Sequence, residues 1–345
     1  MKRAAPSLSK QVKKHASTPV KKKPQYDGNT ERMISTGSTL LDLAISGGRV
    51  RGGGIPGGVV VEIFGPHSTG KTVLLCEIAG AVQRQGGEAK FLDPEARLNK
   101  LFANLFGLSI QKDNYHIPDT VTEMFGHINS WEPEGDAIHG IFADSLAALS
   151  TKLEMENEEG DKMGQRRAKE FSEGFRKNGR KLVDNNFIMV GSNQIRESMN
   201  TYGPKYKAPG GEAIGFYSSL RLRTAIKEKI RPKKTMGGKE VTRVTGVQII
   251  VEVFKNSIWE PDRTATLTIN YKYGIDDIRE NLQFVKRFKG LNYYAVNGTK
   301  LNISLDKSIQ LIEKDDREDE LREEVIDLWE AIEAKFYVER KPKKR

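Results

Sequence analysis

The stretch Gly65-Pro66-His67-Ser68-Thr69-Gly70-Lys71-Thr72 decides the reading of this chain. It fits the phosphate-binding pattern G-x-x-x-x-G-K-[ST], and the chemistry explains the residue types. The glycines let backbone N–H groups turn toward phosphates, Lys71 supplies a compact positive charge, and the Thr72 hydroxyl suits Mg²⁺. The flanks agree. Val59-Val60-Val61-Glu62-Ile63-Phe64 is a β-branched run of strand length, and residues 72–85 carry a helical pattern ending at Gly86-Gly87. A helix starting at the loop points its positive dipole end at the phosphates. Each of these loop residues is therefore expected to bind nucleotide.

Working outward, short strands are expected at Ala89–Asp93, Ile138–Asp144 and Phe187–Ser192, with helical patterns near 96–106, 120–132 and 164–185 between them. Alternating strands and helices imply an α/β fold, a mostly parallel sheet with helices on both faces. Upstream, Ser38–Ala44 reads as a capped short helix, and 47–58 as a Gly-rich turn. Downstream, Tyr217–Thr224, Thr242–Phe254 and Arg263–Tyr271 come as strand after strand, with Met236-Gly237-Gly238 in a basic hairpin turn, which suggests an antiparallel extension. From about 275 to 338, short helices and a hairpin around Asn297-Gly298 suggest a small α+β C-terminal domain. Its last helix, within Asp315–Phe336, repeats Leu321, Val325, Leu328, Ile332 and Phe336 at three and four. The expected division is a basic tail over 1–30, a core over 31–274, the small domain over 275–338 and a second basic tail over 339–345.

Charge supports that division. The chain has 345 residues and a formal net charge of +10, of which residues 1–26 carry +8 and residues 340–345 carry +5, so the body between is −3. The tails read either as arms for nucleic acid or as solubilising segments. No apolar run approaches the roughly 18 residues of a membrane span, so no membrane partner is expected. A single cysteine, Cys76, excludes an internal disulfide and a multi-cysteine zinc site. The five histidines lack metal-ligand spacing, and the N-terminus has no apolar core of a secretory signal.

Other residues carry chemistry by position. Asp144 closes the apolar run from Ile138 to Ala143, where a nucleotide fold holds its second contact to Mg²⁺. Asp93 and Glu95 come after the second strand at the same edge, and either suits orienting or deprotonating an attacking water. Gln194 comes after the fourth strand and suits a γ-phosphate or its water. Residues 160–181 and 196–211 combine basic residues with Gly, and the second adds Tyr202, Tyr206 and Pro204, as phosphate-tracking segments do.

Taken in order, these motifs resemble the RecA recombinase family over about residues 33–338. The resemblance runs through Ile34–Ser38, Gly65–Thr72, Phe91–Glu95, Asp144–Leu149, Gly160–Gly164, Asn193–Arg196, Gly210-Gly211, Phe216–Leu222 and Val253–Asn256. It implies a RecA-type ATPase core using ATP and Mg²⁺, with two DNA-binding loops at about 155–166 and 196–211. It implies Glu95 as the general base, with Lys71 and Gln194 at the γ-phosphate and Thr72 and Asp144 on the metal. Met163, Gly164 and Arg176 fall to the first DNA loop, and Arg196, Gly210 and Gly211 to the second. Asn99 and Phe102 match adenine contacts. Lys255 matches a lysine that reaches a neighbouring subunit's ATP in trans.

The implied function is ATP-dependent homologous recombination: a helical filament of this chain on single-stranded DNA, pairing with double-stranded DNA, with DNA-dependent ATP hydrolysis, in the cytoplasm of a bacterial or phage-infected cell. The alternatives are a RecA-fold mediator or motor without strand exchange, and a filament protein that turns ATP over little. Three departures resemble a phage- or plasmid-borne member. Ser257 stands where the bacterial family usually has a second interface lysine, a Lys-rich tail replaces the N-terminal docking helix, and a basic rather than acidic segment closes the chain.

Overall fold

The computed structural model describes residues 32–156, 163–197, 206–207, 212–336 and 340. Apart from Arg340, the expected tails lie outside the described residues, as do Gly210, Gly211 and much of the two expected DNA loops.

The main sheet contains β1 (Val60–Gly65), β2 (Ala89–Leu92), β3 (Tyr115–His116), β4 (His139–Ala143), β5 (Phe187–Gln194), β6 (Leu220–Ile230), β7 (Gly246–Asn256), β8 (Thr264–Asn270) and β9 (Gly274–Ile275). Their order across the sheet is β9-β8-β7-β6-β1-β5-β4-β2-β3. From β6 to β3 neighbours run parallel, and from β6 to β9 they run antiparallel. The parallel part with an antiparallel extension is the α/β architecture read from the sequence.

Side-chain alternation builds two cores, one on each face of this sheet. Phe91, Phe142, Ile188 and Val190 join the cluster under α2 (Lys71–Arg84), whereas Leu92, Ile141 and Met189 join the one under α4 (Val121–Asn129) and α6 (Met163–Asp184). The short α5 (Lys152–Glu156) precedes α6. Because consecutive residues feed opposite cores, parallel strands that bury both faces read as unbroken apolar runs. On α6, Phe171, Phe175 and Leu182 face inward, and Phe125 of α4 meets the Phe175 ring edge-on at 5.1 Å. The site of Gly174 allows this approach, since a Cβ there would stand 2.1 Å from the Phe125 ring.

A third cluster joins α8 (Asp277–Phe288), α9 (Leu305–Lys314) and α10 (Glu318–Ala334), and it reaches the core through Leu43 of α1 (Thr39–Ser46). Ser38 caps α1 by accepting from Leu41 N–H, and Asp277 accepts from the backbone N–H and hydroxyl of Thr39.

Several local expectations shift. The stretch 47–58 contains a two-residue strand, Ile55–Pro56, paired with Met33–Ile34. The helix expected near 96–106 shrinks to α3 (Lys100–Leu105), because Asp93 captures the N–H groups of Arg97 and Leu98 and Asn99 caps the helix that begins one residue later. Tyr217 ends the short α7 (Ala213–Tyr217) and is no strand residue. Thr242 belongs to a separate hairpin, Lys233–Met236 with Lys239–Thr242. In α10 the buried stripe is Leu321, Val325 and Trp329 with Ile326, while Phe336 is exposed. The stripe is rotated from the expected one: Trp329, with the Arg263 guanidinium over its ring at 5.3 Å, is buried, and Leu328 is only partly so.

Candidate nucleotide site and nucleic-acid interface

β1, β2, β4 and β5 are parallel, so their carboxyl ends meet at one edge, where α/β sheets bind ligands. Gly65–Gly70 leave β1 there and α2 begins at Lys71. Gly70 caps that helix at φ 77°, a left-handed conformation that glycine adopts freely. Thr69 is buried, donates to Pro66 O at 2.9 Å and shares a hydrogen bond with Thr224 of β6. Pro66, His67 and Ser68 form the exposed rim. The Lys71 Nζ folds back to donate to Gly65 O at 3.1 Å and Pro66 O at 2.7 Å. Burial pushes its ammonium down, against the pull of Asp144 and Glu95.

Asp144 comes directly after β4, with a backbone bond from its N–H to Leu92 O. Its carboxylate accepts from the Thr72 hydroxyl at 2.5 Å and from the Ser192 hydroxyl. Burial raises the Asp144 pKa, opposed by those two donors and reinforced by the nearby Glu95 and Asp93 charges. A hydroxyl and a buried carboxylate side by side, with the charges of Glu95 and Asp93 nearby, fit a hard divalent cation. Among the described residues no group of three or more His, Cys, Asp or Glu side chains forms a metal cage. A cation held here would leave positions for phosphate and water oxygens, as Mg²⁺ commonly does.

The two acids after β2 separate by their partners. Asp93 is buried, and its Oδ2 accepts from Arg97 N–H, Leu98 N–H and the Tyr115 hydroxyl at 2.7–2.8 Å. Glu95 is partly open, accepting from the Ser145 hydroxyl at 2.8 Å and pairing with Arg97 at 2.7 Å. Gln194 ends β5 with its Cα opposite Gly65, so it stands beside the start of the phosphate loop. Asn99 is exposed and spends its side-chain oxygen on the N–H groups of Leu101 and Phe102. The Phe102 ring is partly exposed and meets Phe106 edge-on at 4.3 Å.

Elsewhere the placement differs from expectation. Arg176, expected with the first loop, lies inside α6, with an exposed side chain next to Glu173. Met163 and Gly164 open that helix. Arg167 donates to Ala147 O at 3.0 Å and Lys181 to Asn129 O at 2.6 Å, so part of the basic stretch is engaged internally. Arg196 begins a two-residue ladder, Arg196–Glu197 against Tyr206–Lys207, within the stretch read as an open loop. Lys255 donates to Gly215 O and Phe216 O at 3.0 Å, and burial and the neighbouring Arg221 push its pKa down.

Sequence reasoning missed a buried polar relay. Asn193 accepts from Gln194 N–H at 3.0 Å and donates to Glu62 at 2.9 Å, and Arg221 Nε donates to Glu62 at 2.6 Å. Phe64 and Phe254 flank the guanidinium at 4.6 and 5.4 Å. The available signal was Glu62 itself, an acid inside an otherwise apolar β-branched run. Ser145 and Ser192 were missed as well, since a serine beside a strand end carries no pattern.

The comparisons with known proteins address the family. A family model for the RecA N-terminal domain matches residues 2–276, ending before most of the C-terminal helices that the resemblance is expected to include. Protein RecA of Thermus thermophilus is 36% identical over 249 residues, which is 72% of this chain and 69% of the relative. Protein RecA of Wolbachia sp. subsp. Drosophila simulans is 34% identical over 273 residues, 78% and 73% of the two chains. Protein RecA of Delftia acidovorans is 32% identical over 286 residues, 81% and 74%. No helix among the described residues is long and apolar enough to cross a membrane. With the fold, the phosphate loop and these relatives in agreement, the chain belongs to the RecA family, whose members bind ATP and DNA and act in DNA recombination and repair.

Proposed function

We propose that this chain is a DNA-dependent ATPase that assembles as a helical filament on single-stranded DNA and exchanges strands with homologous duplex, in the cytoplasm of a bacterial or phage-infected cell. The observation that carries this is the position of Gln194. It stands beside the phosphate loop, and the segment expected to bind DNA begins within two residues of it, so one strand end faces both ligands. In this reading residues 31–274 are the ATPase core and 275–338 a small C-terminal domain packed on it, which the third hydrophobic cluster supports, since all its buried members but Leu43 come from 275–338.

In this reading Gly65–Thr72 cradle the phosphates, with Lys71 turning from its loop carbonyls to the γ-phosphate. Thr72 and Asp144 would hold Mg²⁺, which would neutralise phosphate charge when bound. Glu95 is the base that activates water. Its partly open carboxylate, with one donor on each oxygen, supports that choice over Asp93, which is buried and whose Oδ2 is saturated by three donors. Phe102 offers a partly exposed ring to adenine, and Asn99 lies at the same helix start. Lys255 exchanges its carbonyl partners for the ATP of a neighbouring subunit, as an arginine finger acts in trans. Met163, Gly164, Arg176, Arg196, Gly210 and Gly211 are the residues assigned to DNA contact in this reading.

ATP hydrolysis measured with and without single-stranded DNA at low salt, with Lys71→Ala as control, tests this. Strong stimulation by DNA that the substitution abolishes is the expected result. Hydrolysis indifferent to DNA would refute it and favour a mediator or motor triggered by a protein.

A further inference from the structure

The segment after β2 folds back on itself within a few residues. Asp93 O accepts from Ala96 N–H at 3.0 Å, and Asp93 Oδ2 accepts from Arg97 N–H at 2.8 Å and Leu98 N–H at 2.7 Å. The Tyr115 hydroxyl of β3 holds the same oxygen at 2.7 Å. Between the two charged residues, Ala96 adopts φ 52°, a left-handed conformation that a Cβ disfavours. Such strain persists where the surrounding bonds over-determine the backbone, as the Asp93 anchor does here. The result is a fixed juxtaposition: the Arg97 guanidinium stands 2.7 Å from Glu95 Oε2.

The two partners of Glu95 differ in kind. Ser145 is 2% exposed and donates to Oε1 at 2.8 Å. It belongs to the segment in which Ala147 O accepts from Arg167 of α6, the helix that Met163 and Gly164 open. The Arg97 side chain is 79% exposed and pairs with no other acid among the described residues. One oxygen is thus tied to the helix that follows the first expected DNA loop, and the other to a cation that faces solvent. A general base takes a proton from water through one of its oxygens. A guanidinium on Oε2 competes for that oxygen and compensates the charge that attracts the proton.

We infer that Arg97 is a latch on Glu95: a positioning residue, touching no reacting atom, that restrains hydrolysis without DNA and is released when DNA on the first loop shifts the Ser145 side of the carboxylate. The inference rests on Glu95 being the base of the function proposed above. An exposed ion pair is weak, so the latch slows turnover and does not abolish it; its weight corresponds to about a twofold to fivefold restraint. DNA releases it only by favouring the arrangement in which Glu95 is unpaired, a shift in population between two states.

Steady-state ATP hydrolysis by the full chain, with and without saturating single-stranded DNA, tests this in Arg97→Ala, Arg97→Lys, Glu95→Gln and the double variant Glu95→Gln/Arg97→Ala. In Arg97→Ala the DNA-free kcat is expected to rise about twofold to fivefold at unchanged KM, while the DNA-saturated rate stays near wild type. Arg97→Lys keeps the charge and is expected to stay close to wild type in both. In the Glu95→Gln background Arg97→Ala is expected to change nothing, because the latch acts only through that carboxylate. Thermal melting of the Arg97 variants should match the wild type. An unchanged DNA-free rate in Arg97→Ala, or the same change with and without DNA, would overturn the latch and leave the proposed function standing. Glu95→Gln as active as wild type would overturn both the latch and the assignment of the base.

Discussion

Glu62→Ala probes the relay behind the phosphate loop. Glu62 is 1% exposed and its partner Arg221 21%, so this is a buried pair with one partly open member. Removing one partner of a buried pair costs about 3–5 kcal/mol, and the lower end applies because water reaches Arg221 and the Phe64 and Phe254 rings still flank it. At about 2–4 °C per kcal/mol, the expected loss is on the order of 6–12 °C in melting temperature. Arg221→Met should cost more, because it strands the deeper carboxylate with Asn193 as its remaining donor. The double variant should cost less than the two singles together, by about 2 kcal/mol of coupling. Denaturant unfolding of all four proteins closes this cycle. Additive losses, or a Glu62→Ala cost below about 1 kcal/mol, would refute the relay as an energetic unit. Because Asn193 also holds the Gln194 N–H, we further expect the DNA-stimulated part of ATP hydrolysis to fall in Glu62→Ala.

The geometry sets three other outcomes. Thr72→Val removes the hydroxyl 2.5 Å from Asp144, and should lower Mg²⁺-dependent ATP hydrolysis by about two orders of magnitude while magnesium-free nucleotide binding, read by a fluorescent ATP analogue, persists; a turnover near wild type would contradict the metal assignment. Burial raises the Glu77 carboxyl from 4.5 to about 7, so the native chain retains a proton that the unfolded chain releases. Stability should therefore fall as pH rises between about 4.5 and 7 and level off above, and Glu77→Gln should flatten that slope in urea titrations at several pH values. Ser38→Ala removes the oxygen that caps α1 and should cost about 1 kcal/mol, seen as a lower urea midpoint at unchanged m.

The elements that were legible are those with local causes. The β-branched run of β1, the glycines of the loop and the helical period after Lys71 each act within a few residues, so the strand–loop–helix unit is readable without the rest of the chain. The same holds for the turns at Gly237-Gly238 and Asn297-Gly298, where positive φ demands particular residue types. Periodicity was less reliable where one large side chain competes with a regular stripe, as Trp329 does in α10. It also misplaced Tyr217, because aromatic and small residues around 213–219 satisfy either a strand or a short helix.

The sequence by itself determined the fold class, the phosphate loop and the row of polar residues at strand ends, because each is written in neighbouring residues. The tertiary structure alone decided which of those residues meet. Asp93 turned into a backbone anchor and Glu95 stayed open, although both come after the same strand. Glu62 found Asn193 and Arg221, 131 and 159 residues away. Hydrogen bonds act over about 3 Å while the chain between such partners spans many elements, so only the packed sheet brings them within reach.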